Sequence, residues 1–213
     1  LAHGLDCFVE LLQLGGDSKS GAVSAVLGPG SGLGMATILR EENCLRVLAS
    51  EGGHADFAPG SHLESEIWSV LAMDSKYVSW ETVLSGNGLV RLYEAMCQVW
   101  GSKCSNYKAE DITRLGVSLD DPICHQTLET FYGILGSAAG NFALTVGALG
   151  GVYLAGSIVP ATSDFAVKSP LRRRFEEKEA LDQLLRKVPI FIIRDSSPGL
   201  IGVEQCLRKQ LKC

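Results

Sequence analysis

Apolar positions along this chain follow two rhythms: short compact runs closed by glycine, and longer stretches in which apolar residues recur three and four apart. Residues 22–27 form a compact apolar run leading into Gly28, Pro29, Gly30, Ser31, Gly32, Leu33 and Gly34, and a second run resumes from Met35 to Leu39. This pattern predicts strand, glycine turn, strand. Residues 47–49 predict another short strand, which delivers the chain to the polar glycine loop Glu51, Gly52, Gly53, His54. Ser61 and Glu64 have capping-box spacing, which predicts a helix to about Ala72 with the hydroxyl and the carboxylate each satisfying a first-turn amide. Leu89, Leu92, Tyr93, Met96 and Trp100 fall on one helical stripe and read as core. Asp121 before Pro122 predicts the start of a long helix. Residues 152–155 then read as a buried strand ending at Gly156 and Ser157. Ser169 and Pro170 open a helix, residues 189–193 a strand, and Pro198 and Gly199 a last amphipathic helix through Leu207 and Leu211. Strands alternate with helices, so the class is α/β.

Composition narrows the possibilities. The 213 residues are 46% hydrophobic and 20% charged, enough to bury a continuous core. A net charge of -5 gives no general attraction for nucleic acid or an anionic membrane, so neither is an expected partner. The basic run Arg172, Arg173, Arg174 is followed at once by Glu176 and Glu177 and reads as a solvated helix face. Seven cysteines without a Cys-x-x-Cys pair suggest neither a disulfide scaffold nor a zinc ribbon, so a cytoplasmic, reducing setting and no metal site are expected. Cys124 and His125 read as packing residues. The charge-free stretch from Thr130 to Ser163 is long enough to span a bilayer, but its repeated glycines and the break at Gly150 and Gly151 favour a small-faced helix followed by a strand. The amino terminus, from Leu1 to Asp6, does not read as a signal peptide.

Three segments could carry chemistry. Glycines at 28, 30, 32 and 34 leave the backbone free for positive φ and expose amides, which suits a phosphate cradle and equally a tight hairpin. Neither the Walker pattern nor the dinucleotide fingerprint is met. Glu51 and His54 bracket a bare glycine pair, a carboxylate and an imidazole able to hold sugar hydroxyls, and equally a surface glutamate with a satisfied loop histidine. Glu81 offers a second carboxylate.

Taken in order, residues 27–34 (Leu-Gly-Pro-Gly-Ser-Gly-Leu-Gly), 50–59 (Ser-Glu-Gly-Gly-His-Ala-Asp-Phe-Ala-Pro), 83–89 (Val-Leu-Ser-Gly-Asn-Gly-Leu), 150–160 (Gly-Gly-Val-Tyr-Leu-Ala-Gly-Ser-Ile-Val-Pro) and 197–202 (Ser-Pro-Gly-Leu-Ile-Gly) resemble the bacterial-type glucokinase family over essentially the whole chain. The resemblance implies a ribonuclease-H-like, actin-like ATPase fold, with a mixed sheet and flanking helices, that closes on ATP and glucose. Residues 1–195 would be the large lobe, and residues 196–213 a terminal helix that returns to a small lobe. Phosphate would fall to Gly30, Ser31 and Gly32, adenosine to Gly156 and Ser157, and sugar hydroxyls to Glu51, His54 and Glu81. Mg²⁺ would arrive with the nucleotide, no structural zinc is expected, and a homodimer is one assembly the resemblance allows. Family members also carry an Asp-x-Gly-Gly phosphate loop and a catalytic aspartate in an Asn-Asp pair, and neither motif occurs in these residues. The resemblance places that aspartate upstream of Leu1, which predicts a chain inactive alone, with no catalytic residue of its own. Asp6 reads as helical and Asp56 as structural rather than as replacements. The alternatives are a non-catalytic sugar- or nucleotide-binding protein and a nicotinamide-dependent oxidoreductase, the latter requiring the glycine loop to enter a helix.

Overall fold

The structure, a computed structural model, describes residues 10–17, 23–41, 44–194, 200, 203 and 204. Leu1, upstream of which the catalytic aspartate is expected, lies outside them, as do Asp6 and most of the terminal helix read over 199–211. Among the described residues one sheet has the order β1-β6-β5-β2-β3-β4. Strands β2 (Ser24–Pro29), β3 (Leu33–Glu41) and β4 (Cys44–Ser50) form an antiparallel meander. β5 (Val152–Leu154) and β6 (Ile190–Ile193) lie parallel to β2, and β1 (Leu11–Leu14) closes that side antiparallel to β6. β2 thus stands where the sheet changes from antiparallel to parallel.

Alternation along the strands divides their side chains between two faces. Ala25 and Leu27 of β2 and Leu154 of β5 enter the main core, while Val26, Tyr153, Phe191 and Ile193 form a smaller cluster in which the Tyr153 and Phe191 rings stack at 4.8 Å. The main core is shared with helices α1 (His62–Asp74), α2 (Trp80–Val83), α3 (Gly86–Val99), α4 (Ala109–Ser118) and α5 (Pro122–Val146). It continues through α6 (Ile158–Ala161), α7 (Ser163–Lys168), α8 (Leu171–Glu176) and α9 (Asp182–Leu185). The stripe Leu89, Leu92, Tyr93 and Met96 is fully buried as expected, whereas Trp100 at the C-cap of α3 is half exposed.

The glycine-rich stretch is α5, capped by Asp121, whose carboxylate accepts the amides of Ile123 and Cys124. Its small face lets α8 come close: a Cβ on Gly136 would lie 2.2 Å from the Leu171 carbonyl oxygen, so no larger residue fits without parting the helices. Among the described residues no helix is long and apolar enough to cross a membrane. Cys124 is buried, and His125 Nδ1 lies 3.0 Å from the Gly116 carbonyl with its ring edge-on to Phe165, so both are packing residues.

The basic run departs from expectation. Of its three arginines only Arg173 is solvated. Arg172 binds backbone carbonyls, with Nη1 donating to Leu14 and Val188 and Nη2 to Leu185 and Arg186, and so ties β1 to the turn entering β6. Arg174 is buried and meets Glu64 of α1 through Nη1–Oε1 at 2.7 Å and Nη2–Oε2 at 3.2 Å, while also donating to Ser137 of α5. The capping box is altered accordingly. Ser61 accepts the Glu64 amide, but the Glu64 carboxylate accepts from Gly60, one residue before the cap, and from Arg174. Burial explains the change, because a buried carboxylate is held where a guanidinium neutralises it.

Candidate functional site

The glycine run folds as a tight hairpin. Pro29 pairs with Leu33, so only Gly30, Ser31 and Gly32 form the turn, and β3 follows directly. The helix that a nicotinamide reading required is therefore replaced by a strand. None of the four glycines uses the left-handed conformation; those that do include Gly151 and Gly156. What position 32 requires is closeness: a Cβ there would sit 2.4 Å from Glu81 Oε2.

Two neighbouring loops flank this hairpin. On the parallel side, β5 brings Gly156 beside the end of β2, where a Cβ would lie 2.0 Å from the Pro29 carbonyl oxygen and φ is +92°. The Ser157 amide donates to that same carbonyl at 3.3 Å. On the antiparallel side, Met35 pairs with Ser50, so β4 releases Glu51 next to the start of β3. A short 3-10 turn, Gly52–His54, follows, with the His54 amide donating to the Glu51 carbonyl at 2.9 Å.

His54 and Glu81 meet because the segments around them are zipped together. The Trp80 amide donates to Ala55, the Phe57 amide donates to Val78, Asp56 bridges Ser79, and the Phe57 and Trp80 rings pack at 5.4 Å. His54 Nε2 then lies 3.8 Å from Glu81 Oε1, an ion pair only when the imidazole is protonated. The Tyr77 hydroxyl donates to the His54 carbonyl oxygen. Partial desolvation and the adjacent Asp56 carboxylate raise the Tyr77 pKa, which keeps it a donor. Two serine caps in succession complete the wall. Ser79 caps α2 through the Thr82 amide, and Ser85 caps α3 through the Gly88 amide while its hydroxyl donates to the Glu81 carbonyl.

The resulting α2–α3 corner grips both flanks of the hairpin. Glu81 Oε2 accepts the Leu33 amide at 2.8 Å, and the Gly86 amide donates to the Gly30 carbonyl at 2.7 Å. The Gly30 amide is itself taken up by the Gly32 carbonyl at 2.8 Å. Among the described residues the amides of Ser31 and Gly32 and the Ser31 hydroxyl have no protein partner, so they, rather than the Gly30 amide, are the donors available to an anion.

A cleft of about 310 Å³ opens here, walled by Ser31, His54, Tyr77, Glu81, Ser85 and Asn87 among others. The structure thus brings Ser31, His54 and Glu81 together. It sets Gly156 and Ser157 against the other side of the hairpin and leaves Glu51 exposed at the far end of its turn, outside the walls of this cleft. Tyr77 carried no sequence signal beyond an aromatic residue near a helix cap. No cluster of three or more metal-ligating side chains occurs among the described residues.

An antiparallel meander continued by parallel strands, with a glycine hairpin and a carboxylate–imidazole pair at the strand ends, agrees with the actin-like ATPase fold that the resemblance to sugar kinases implies. The chain belongs to the glucokinase family, whose family model, described as Glucokinase, matches residues 8–210. It is similar to the glucokinase of Chromobacterium violaceum, with 41% identity over 203 residues covering 95% of this chain and 58% of that protein. Its backbone resembles the crystal structure of a glucokinase from an Antarctic psychrotroph, with a TM-score of 0.89 and 33% identity over 98% of this chain and 66% of that one. The fold also matches a glucokinase from Balamuthia mandrillaris in complex with glucose, with a TM-score of 0.74 and 19% identity over 90% of this chain and 57% of that one. The chain spans 58% to 62% of the length of the curated relatives.

Proposed function

We propose that this chain is the large lobe of an ATP-dependent glucokinase, in which the γ-phosphoryl group passes to the 6-hydroxyl of glucose in a cytoplasmic setting. The observation that carries the reading is the convergence of Ser31, His54 and Glu81 on one cleft at the carboxyl end of β2, the edge at which open α/β sheets bind ligands. The likeness to the psychrotroph glucokinase, at 33% identity and a TM-score of 0.89, supports it.

Each group has a chemical task. The Glu81 carboxylate accepts short, charge-assisted hydrogen bonds from sugar hydroxyls, and His54 Nε2 donates or accepts beside it. Glu51 lies outside the walls of this cleft, so its contact with the same sugar requires the turn to move toward it. The free amides of Ser31 and Gly32 and the Ser31 hydroxyl fit a phosphate, since a bare turn lets oxygens approach the backbone. Gly156 and Ser157 form the floor beside it for the nucleoside. Mg²⁺, when bound with ATP, neutralises phosphate charge; no protein cage is needed, because this ion keeps most of its ligands as water and phosphate oxygen. The acceptor of the hydroxyl proton is assigned to an aspartate upstream of Leu1, so this lobe binds and orients without completing the reaction.

The test is ATP-dependent formation of sugar phosphate from glucose by this chain beside the same chain extended by its natural upstream residues. Activity in the extended chain alone is expected. Activity in neither would contradict a kinase and favour a sugar- or nucleotide-binding protein.

A further inference from the structure

Glu81 serves two sites at once. One carboxylate oxygen, Oε2, is spent on the Leu33 amide where the phosphate hairpin becomes β3, and the other, Oε1, faces His54 across the sugar cleft. The hairpin's other flank is held by the same corner, since the Gly86 amide donates to the Gly30 carbonyl and the Ser85 hydroxyl donates to the Glu81 carbonyl. The free donors of Ser31 and Gly32 therefore hang between two bonds that both originate in α2–α3. The loop carrying His54 is zipped to the first residue of α2 through the Trp80 amide and the Ala55 carbonyl. A ligand that fixes Glu81 Oε1 and His54 thus fixes the frame in which the phosphate donors are presented.

Resting on the sugar-kinase reading above, we propose that Glu81 is a positioning residue for the phosphate hairpin as well as a sugar contact, so that sugar occupancy within this lobe strengthens phosphate binding through the Glu81–Leu33 bond. The physical basis is ordering. A half-exposed glutamate bound at one oxygen keeps rotamer freedom that the first ligand removes and the second then need not. Coupling of this kind is reciprocal, so phosphate must tighten sugar by the same factor. Position 32 carries an independent mark of the arrangement: glycine stands where any side chain would displace Oε2.

The experiment measures binding of a non-hydrolysable ATP analogue with and without saturating glucose, using the chain with its natural upstream residues, and follows the Leu33 amide by ¹⁵N NMR as glucose alone is added. Glucose binding itself is read independently from the His54 imidazole resonances. In the unaltered protein glucose should tighten the analogue by about fivefold or more, the lower end of ordinary allosteric couplings, and should shift the Leu33 amide. Gly32→Ala keeps the carboxylate but pushes it from the hairpin, so the ratio should collapse to about twofold or less while glucose still binds. Glu81→Gln retains an acceptor for Leu33 and should keep part of the ratio. Glucose that moves His54 but neither the Leu33 amide nor the analogue affinity would overturn the proposal and leave the kinase reading standing. Glucose that moves neither residue would overturn both. An undiminished ratio in Gly32→Ala would overturn the proposal alone. Should that variant fail to fold, the Leu33 response in the unaltered protein decides.

Discussion

Replacing Arg174 by methionine is the most informative stability test, because that guanidinium joins three helices and lies inside the protein. The substitution removes two donors to Glu64 and both contacts to Ser137, and among the described residues leaves the Glu64 carboxylate, 3% exposed, with only the Gly60 amide. Stripping one partner from a buried ion pair costs about 3–5 kcal/mol, because the remaining charge is uncompensated. For a chain of this length each kcal/mol shifts Tm by about 2–4 °C, so a fall of about 10 °C is expected. Glu64→Met should cost less, because the Arg174 guanidinium keeps its two hydrogen bonds to Ser137 and the Glu177 carboxylate 3.7 Å away. The double variant Glu64→Met/Arg174→Met buries no charge and should lie within about 2 kcal/mol of the unaltered chain, most of the deficit coming from the unpaired Gly60 amide. Urea unfolding followed by circular dichroism, completed as a double-mutant cycle, gives all four stabilities. A loss of less than about 1 kcal/mol in Arg174→Met, or a double variant equal to the sum of the singles, would refute the claim that the pair is buried and charged.

Three further outcomes follow from particular contacts. Gly156→Ala combines a left-handed backbone with a collision at the Pro29 carbonyl, so it should cost about 2 kcal/mol or more and abolish nucleotide binding; an unchanged Tm and unchanged titration by calorimetry would contradict this. The Cys124 thiol is pushed up to about 12 by burial first and by Asp121 second. Peptide mapping after iodoacetamide treatment at pH 8 should accordingly find Cys124 unmodified until denaturant is added, and rapid native labelling would show that its surroundings open. Burial raises the Tyr132 phenol above its ordinary 10.0, with the hydrogen bond to Thr162 opposing the shift. The unfolded chain therefore loses this proton first. Its contribution to stability is complete below about pH 10 and declines above it by up to about 1.4 kcal/mol per pH unit. Urea unfolding between pH 10 and pH 11 should show a shallower decline in Tyr132→Phe; an identical slope would show that Tyr132 does not contribute to the alkaline loss of stability.

Residues close in sequence made the site legible. The hairpin was readable from glycines bounded by two apolar runs, and the Glu51–His54 turn from a strand ending in a glycine pair. The bond between Glu81 and Leu33 was not, since the two are 48 residues apart and neither carries a mark of the other. The clearest misreading concerns Arg172 and Arg174. A basic run followed by glutamates has the local signature of a solvated face, but the partner of Arg174 lies 110 residues away, and Arg172 is satisfied by carbonyls from β1 and the segment before β6. Glu64 shows the same limit from the other side: its spacing from Ser61 identified the helix start correctly, while its burial redirected the carboxylate to Arg174. Secondary structure was missed where local signals were weak. β1 is a four-residue strand without a turn motif before it, and α4 begins at Ala109 after an N-cap, Lys108, that supplies no side-chain cap hydrogen bond. The four glycines of the hairpin suggest positive φ, which none of them adopts; small size matters at Gly32, which admits the Glu81 carboxylate, whereas a Cβ at Gly30 or Gly34 would meet nothing within 4 Å.

As proposed, the hairpin and the Glu51–His54 turn form adjoining phosphate and sugar sites. A crystal structure of the chain with its natural upstream residues, bound to glucose and a non-hydrolysable ATP analogue, tests it directly. Sugar hydroxyls are expected within hydrogen-bond distance of Glu51, His54 and Glu81, with a phosphate on the amides of Ser31 and Gly32 and the nucleoside beside Gly156. A hexose bound elsewhere, or a nucleotide that leaves the hairpin untouched, would contradict it.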